Sequence, residues 1–463
     1  TAAPTSAELL ALTADDISEI SILSAENLSG EEKSFLRSGE DRAWVWKTDP
    51  KLTINKSMLK GLVDNASKIT SIRTISDDFA KDAESYGVKD PAHTVKLTTT
   101  EGQEIEMYLG YKSPSGDYYF FAMKGDDHIY MIESTLYTYL KRELAEYIAI
   151  DKFPELTAQQ LDTLKVSRPG EEEPTYGVFS PEDLLNVDRM ALSLWYFPSA
   201  VSGRYDSMDY EKGNSLNEVL TSLTYSGCVR ALPTDAELEE FGLKTPAAKI
   251  TLTYKKYKIE ANEDGTMPFD RMKIELWIGN EMKYNDMTYY YAQSQGQGPV
   301  FRILKKGGMD FLMESYTKEN MMNLLPCQIV IDNVDRIEVS LGDKKHEFEI
   351  RRETAEDGKT VETFYGDGKA FEESTFRTFY TVLASLSANN YLAPSKVKKD
   401  AAMILEYEFF TNYDENVTKH IRLLEYDDNN CQLEVNGEIL YLVNRTERKK
   451  IESDIEKVFA ALE

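Results

Sequence analysis

Apolar and polar residues alternate over Ile17-Ser18-Glu19-Ile20-Ser21-Ile22, the period-two signature of a half-buried strand. Two further strands are expected around Phe35-Leu36 and Trp44-Val45-Trp46. The period then lengthens, and Met58, Leu59, Leu62, Val63, Ala66, Ile69 and Ile72 fall at helical spacing. The same order returns late in the chain. Val334 to Val339, Phe348-Glu349-Ile350 and Val361 to Tyr365 read as strands, followed by a helix presenting Phe376, Phe379, Tyr380, Leu383, Leu386 and Leu392. The two helices align without a gap, pairing Leu59 with Phe376, Leu62 with Phe379 and Ile69 with Leu386. A third helix aligns Leu59 with Leu216, Leu62 with Val219, Val63 with Leu220, Ile72 with Val229 and Arg73 with Arg230, which places Cys228 in a helical pattern.

A second block recurs between these helices. Tyr86-Gly87-Val88-Lys89-Asp90-Pro91-Ala92 matches Phe241-Gly242-Leu243-Lys244-Thr245-Pro246-Ala247 position for position in residue type. Each copy leads into an alternating strand, from His93 or from Ala248. Downstream, Glu104 to Gly110 matches Lys273 to Gly279, and Tyr119-Phe120-Phe121-Ala122 is set against Tyr289-Tyr290-Tyr291-Ala292. Final strands Ile129 to Ile132 and Val300 to Ile303 lead to short apolar helices near Leu140 and Phe311. Near the C-terminus the block survives as strands at Met403 to Phe410, His420 to Tyr426, Gln432 to Val435 and Ile439 to Val443, then a charged helix to Glu463. Its Tyr-Gly-x-x-x-Pro element is missing, and Ser395 to Asp400 stand where the turn belongs.

Internal repetition at this period reads as tandem units. The expected fold is α+β, in three tandem repeats, each a mainly antiparallel sheet with one or two packing helices. The units span residues 14–150, 151–325 and 326–463, the second with extra loops at Arg168 to Pro174 and Pro198 to Gly213, and the third divergent, as terminal repeats often are. A length of 463 residues, 41% hydrophobic, suits several separate cores.

Charge narrows the partners. With 53 basic and 80 acidic residues the formal net charge is −27, and such a surface repels phosphate backbones and anionic headgroups. Nucleic acid is not an expected partner. No stretch reaches the roughly 20 apolar residues that span a bilayer. The chain opens at Thr1 without a Met on a small-residue run through Ala11, so membrane attachment is expected only through an anchor preceding Thr1.

The opening strand Ile17 to Ile22, the Trp44-Val45-Trp46 strand, the Met58 to Ile72 helix, the Tyr86-Gly87-Val88 to Pro91 turn and the Leu109-Gly110 strand end together resemble an uncharacterised bacterial family, domain of unknown function 4340. The resemblance covers residues 14–315 as two copies and the remainder more weakly. It implies an extracytoplasmic, envelope-associated domain held by one N-terminal membrane helix, with an ABC-type permease or another component of a gliding-motility-like export system as partner. It assigns no catalytic residue.

The residues themselves supply little chemistry. Ser57-Met58-Leu59-Lys60 fits Ser-x-x-Lys, yet no Lys-Thr-Gly or Lys-Ser-Gly accompanies it, and Ser57, Asn214 and Ser374 suit capping or solvation of their helices. His93, His128, His346 and His420 are too scattered for a metal site or a triad. Asp126-Asp127-His128 and Asp427-Asp428-Asn429-Asn430 gather oxygen ligands but interrupt strand pairs, where Asp and Asn favour tight turns. Cys228, Cys327 and Cys431 lie far apart and form no zinc pattern, and no phosphate-cradling glycine motif occurs. No catalytic residue, metal or cofactor is expected. The candidate binding residues are the aromatic rings Tyr119, Phe121, Tyr289, Tyr290 and Tyr291, whose strands place rings on both faces of a sheet. An open ring face stacks a sugar or peptide, whereas paired rings stabilise the strands themselves. Tyr86, Gly87, Pro91, Gly110, Phe241, Gly242, Pro246 and Gly279 define the repeat. The expected function is a non-enzymatic interaction protein, the alternative a polysaccharide- or peptide-binding module, and a hydrolase the third choice.

Overall fold

The computed structural model describes residues 6–183, 193–199, 204–262, 265–356, 358–413 and 417–462. Among these residues the fold is mixed, with antiparallel strands in three large sheets and one two-stranded ribbon, Ala7–Ala11 against Lys68–Ser71. From edge to edge the first sheet runs Ala43–Trp46, Lys33–Ser38, Ile17–Ser24, His93–Thr99, Glu104–Lys112, Tyr118–Met123, Ile129–Glu133 and Arg73–Ser76. The second runs Tyr205–Ser207, Trp195–Pro198, Thr175–Phe179, Leu161–Ser167, Ala248–Tyr257, Phe269–Tyr284, Met287–Ser294, Val300–Leu304 and Tyr225–Arg230. The third runs Lys369–Ala370, Thr360–Gly366, Lys344–Thr354, Val334–Leu341, Met403–Thr411, Thr418–Glu425, Asn430–Val435, Glu438–Asn444 and Asn390–Tyr391. In each sheet the first long strand sits centrally, beside the strand that opens the second block. The short strand following the helix closes the far edge.

The chain divides into two compact units. One comprises residues 1–153, 224–246 and 277–304, and holds the first sheet with the closing strands of the second. The other comprises 154–223, 247–276 and 305–463, and holds the opening strands of the second sheet with the whole of the third.

Local chemistry explains why the three sheets begin alike. A single 3-10 turn precedes each first strand, at Ala14–Asp16, Ala158–Gln160 and Ile331–Asn333. In the first sheet Arg37 donates to the carbonyls of Ala14 (2.9 Å) and Ile17 (3.0 Å), and in the third Arg352 donates to those of Ile331 (2.9 Å) and Val334 (3.0 Å). Each guanidinium thus fastens the turn to the next strand and satisfies carbonyls that the ladder leaves over.

Three twelve-residue helices correspond to the helical matches read from the sequence: Lys56–Ser67, Tyr210–Thr221 and Glu373–Ala384. Side chains of Asn55, Asp209 and Glu372 cap them, accepting from the backbone N–H of Met58, Lys212, and Ser374 with Thr375 respectively. Caps and helix ends keep the gapless match between the first and third helices, but move the second by one turn. Asn55 N donates to Tyr147 O and Asp209 N to Met321 O, and isolated bridges join Ile54 to Ile148 and Met208 to Met322. Leu62 therefore corresponds to Leu216, not Val219. Apolar residues recur every three to four positions on a helix, so a slip of one turn preserves the pattern. Cys228 lies in the strand Tyr225–Arg230, not in a helix. Ile69 lies in the strand Lys68–Ser71 and Leu386 beyond its helix end.

The loop expected at Arg168 to Pro174 is present between strands. Of the stretch from Pro198 to Gly213, residues 200–203 lie outside the described residues, Tyr205–Ser207 is a strand and the helix has begun at Tyr210. Glu463 also lies outside them, beyond the helix Arg445–Leu462. Cores are aromatic-rich: Trp46, Trp195, Tyr147, Tyr407, Phe348 and Phe376 are among the largest fully buried side chains, the two phenylalanines each contributing about 1.5–3 kcal/mol by leaving water. Among the described residues no helix is long and apolar enough to cross a membrane.

Candidate functional site

The repeat-defining residues build one device twice. A short helix, Phe79–Asp82 or Asp235–Glu240, runs into Tyr86-Gly87 or Phe241-Gly242, where both glycines take φ of +70°, a conformation that side chains disfavour. The Tyr86 carbonyl accepts from Tyr111 N (3.0 Å) and the Phe241 carbonyl from Asn280 N (2.8 Å). A β-carbon on Gly110 would lie 2.2 Å from Tyr86 O, and one on Gly279 2.1 Å from Phe241 O. Those glycines are therefore the gaps into which a backbone carbonyl docks. Pro91 and Pro246 follow, each two residues before the next strand. The device is architectural: it pins the helix to the sheet.

Its aromatic partners locate the candidate binding rings. Tyr86 packs on Phe120, with centroids 4.6 Å apart, and Phe241 on Tyr291 at 4.3 Å. Final-strand pairing agrees, because Phe120 faces Met131 and Tyr291 faces Arg302. Phe120 thus corresponds to Tyr291 and Tyr119 to Tyr290, a correction of one residue to the sequence alignment. A one-residue slip exchanges the faces of a strand. Tyr119, Phe121, Tyr289 and Tyr290 are all buried and Tyr291 is half-buried. Four of the five rings therefore lack the open face that stacking a sugar or peptide requires, and pack within the core.

Tyr119 belongs to a polar seam in the first sheet. It stacks on Tyr137 at 4.5 Å, and Tyr137 meets the His93 ring edge-on at 5.5 Å and donates to Glu26 Oε2 at 3.3 Å. His93 Nε2 lies 3.5 Å from the same carboxylate. Burial pushes the Tyr119 phenol up to about 12, with Tyr137 adding to the effect. Burial also holds the His93 imidazole below its ordinary value, against the pull of Glu26. Beside it Lys33 is 1% exposed, and its ammonium donates to the carbonyls of Leu140 (2.9 Å), the last residue of the helix Thr135–Leu140, and of Arg142 (2.8 Å) just past it. A cation among the last carbonyls of a helix is well placed, and burial lowers the lysine's affinity for its proton. Perturbed groups of this kind mark functional sites only as a tendency. Here Lys33 spends its donors on backbone.

The remaining sequence candidates are held in structure. Ser57 is exposed on its helix, where Asn55 is the cap. Ser374 lies inside its helix and Glu372 caps it. His128 bonds Asp126 at 2.7 Å within a turn, His346 bonds Asp367 at 2.7 Å, and His420 bonds Glu406 at 2.9 Å across strands. Asp427 closes its own turn, accepting from Asn429 N and Asn430 N at 2.8 Å each. Among the described residues no three His, Cys, Asp or Glu side chains gather to hold a metal. The three cysteines are buried and free. Desolvation pushes the Cys228 thiol up to about 12 and the Cys327 thiol to about 11, far from the thiolate that nucleophilic chemistry needs.

Two features of the 1–153, 224–246 and 277–304 unit had no signal in the repeat pattern. Glu31 accepts from Ala231 N (3.1 Å) and Leu232 N (3.0 Å) and faces the Arg230 guanidinium at 3.5 Å. Burial raises its pKa against those partners. The second is an apolar-lined cleft of about 380 Å³ that contains Arg302. A glycine inside a strand, Gly227, was the available clue.

A family model described as "Domain of unknown function (DUF4340)" matches residues 44–224 and again 195–406. No curated protein and no solved structure matches the chain.

Proposed function

The chain belongs to the family described as domain of unknown function 4340, and from that premise we propose that it is a non-enzymatic interaction protein of the bacterial cell envelope, built of three successive units at residues 14–150, 151–325 and 326–463. It serves an ABC-type export assembly as an accessory domain carried by a membrane anchor. The observation that carries the three-unit reading is the common strand order of the three large sheets, each opened by a 3-10 turn and each with a capped twelve-residue helix between its opening and its later strands. Asn55, Asp209, Glu372, Asp427 and Lys33 support the interaction role, since they cap helices, close a turn and seat carbonyls. A scaffold made this way presents surfaces rather than reacting groups. The acidic surface directs it toward protein partners rather than polyanions.

Affinity capture of the full-length gene product from its native membrane, read by mass spectrometry, tests the reading. Recovery of permease or ATPase subunits of an ABC-type system is the expected outcome. A cytosolic protein that captures none of them overturns it.

A further inference from the structure

In the cleft of about 380 Å³ an apolar wall of Met58, Ile148, Ile150, Val229 and Met282 meets one cation, Arg302. The size is at the lower end of ordinary small-molecule sites, which run about 300–1,000 Å³. Ile150 and Tyr284 are each 41% exposed, so the cleft opens to solvent.

Arg302 is held by its faces. Its guanidinium carbon lies 3.9 Å from the centroid of the Tyr284 ring. On the neighbouring strand a β-carbon at Gly227 would stand 2.5 Å from Nη2 and 2.7 Å from Cζ, so only glycine leaves room for the group there. Ring and glycine receive the guanidinium by contact and accept none of its in-plane N–H groups. Nε is buried without a hydrogen-bond partner, and among the described residues the side chain has no carboxylate partner. The orphaned Nε is out of reach of solvent, so a ligand in the cleft would meet the Nη groups. Glu143 and Glu146 also line the cleft, but Glu143 accepts from Leu28 N and Ser29 N, and Glu146 from Arg142.

The first sheet shows that the fold does not need this cation. Arg302 pairs across its strand with Tyr291 and Gly227, as Met131 pairs with Phe120 and Arg73. Met131 is 4% exposed. One position thus carries a core methionine in one sheet and an arginine lining a cleft in the next.

We propose that the cleft binds a small apolar monocarboxylic acid, its carboxylate on the Arg302 fork and its chain along the Met58, Ile148 and Met282 wall. A carboxylate matches the planar fork with two parallel hydrogen bonds. Arg302 offsets one negative charge, and because Glu143 and Glu146 already bring two to the lining, a phosphate ester is disfavoured more strongly than a monocarboxylate.

Calorimetric titration at pH 7 with octanoate and its neutral analogue 1-octanol tests the site. Octanoate is expected to bind about tenfold or more tightly than octanol. Arg302→Gln is expected to remove that advantage while leaving octanol binding unchanged and lowering the thermal midpoint by a few degrees at most. Arg302→Lys restores only part of it. Ser226→Trp, at an exposed position on the cleft rim, abolishes both ligands without touching Arg302. Equal binding of octanoate and octanol, an Arg302→Gln protein that binds octanoate as wild type does, or binding of an uncapped apolar tripeptide with none of octanoate would each overturn the proposal.

Discussion

The final strands Ile129–Glu133 and Val300–Leu304 occupy the same place in their sheets, next to a tyrosine- and phenylalanine-rich strand on one side and the closing edge strand on the other. Ile129 and Val300 both enter the small cores around Val88 and Leu243. Two residues further on the strands part company, at Met131 and Arg302. Positions that the sheets hold in common are set by backbone geometry and burial, as at Gly110 and Gly279. Positions where they differ are free of that duty and are where a unit acquires a property of its own. His93 and Ala248, each the first residue of its strand and each buried, make a second such pair.

Substitutions break this contrast in graded ways. The largest effect belongs to the shared device. Gly110→Ala and Gly279→Ala each force a methyl group against a carbonyl oxygen, and each is expected to cost about 3–5 kcal/mol in chemical denaturation. A tolerated alanine at either position contradicts the docking of Tyr86 or Phe241. Next comes the divergent pair: Met131→Ala is expected to cost about 2–5 kcal/mol as a core truncation, and Arg302→Gln about 1 kcal/mol or less, the worth of a half-exposed cation–π contact. Comparable losses at the two positions would make Arg302 a core residue like its counterpart.

Cap removal is smaller and uniform. Asn55→Ala and Asp209→Ala should each cost about 1 kcal/mol, read as shifts in denaturation midpoint. A cost at Ser57 instead would return the helix start to that residue.

The smallest effect is confined to acid. His93 is buried and its folded pKa lies below the unfolded value of about 6.5, so its neutral form is fully accommodated above that pH. As pH falls below it the unfolded chain takes up a proton that the fold resists, and stability drops. His93→Ala, which copies Ala248, is expected to flatten that acid limb in a thermal-melt series. An unchanged limb assigns it to other groups.

Much of the architecture is legible in the chain. Period-two runs mark the central strands, and the Tyr86-Gly87 to Pro91 block announces its own repetition because a positive φ and a carbonyl-docking glycine tolerate few residues. Register was less legible. The helix at Tyr210 slid by one turn because its apolar residues recur at nearly the same spacing. Tyr289-Tyr290-Tyr291 aligns one residue out of register because an unbroken aromatic run has no polar position to fix its parity. Helical spacing continues on paper past Ser67 through Ile69 and Ile72, which is why the matched pattern reaches Cys228, although both copies have already turned to strand there. Arg37 and Arg352 anchor equivalent turns, yet insertions between strands hide the match. Arg302 had no local signature at all, since its setting is made by Gly227 and Tyr284 from two other strands.

The central claim is that Arg302, unlike Met131, is spent on a ligand rather than on the core. The most direct measurement is a titration of octanoate followed at the arginine Nε–H resonances of isotopically labelled protein. The account predicts that one resonance, missing from Arg302→Gln, moves with octanoate and stays still with octanol. If that resonance is insensitive to octanoate, or moves equally with the alcohol, the carboxylate is not on Arg302 and the claim fails.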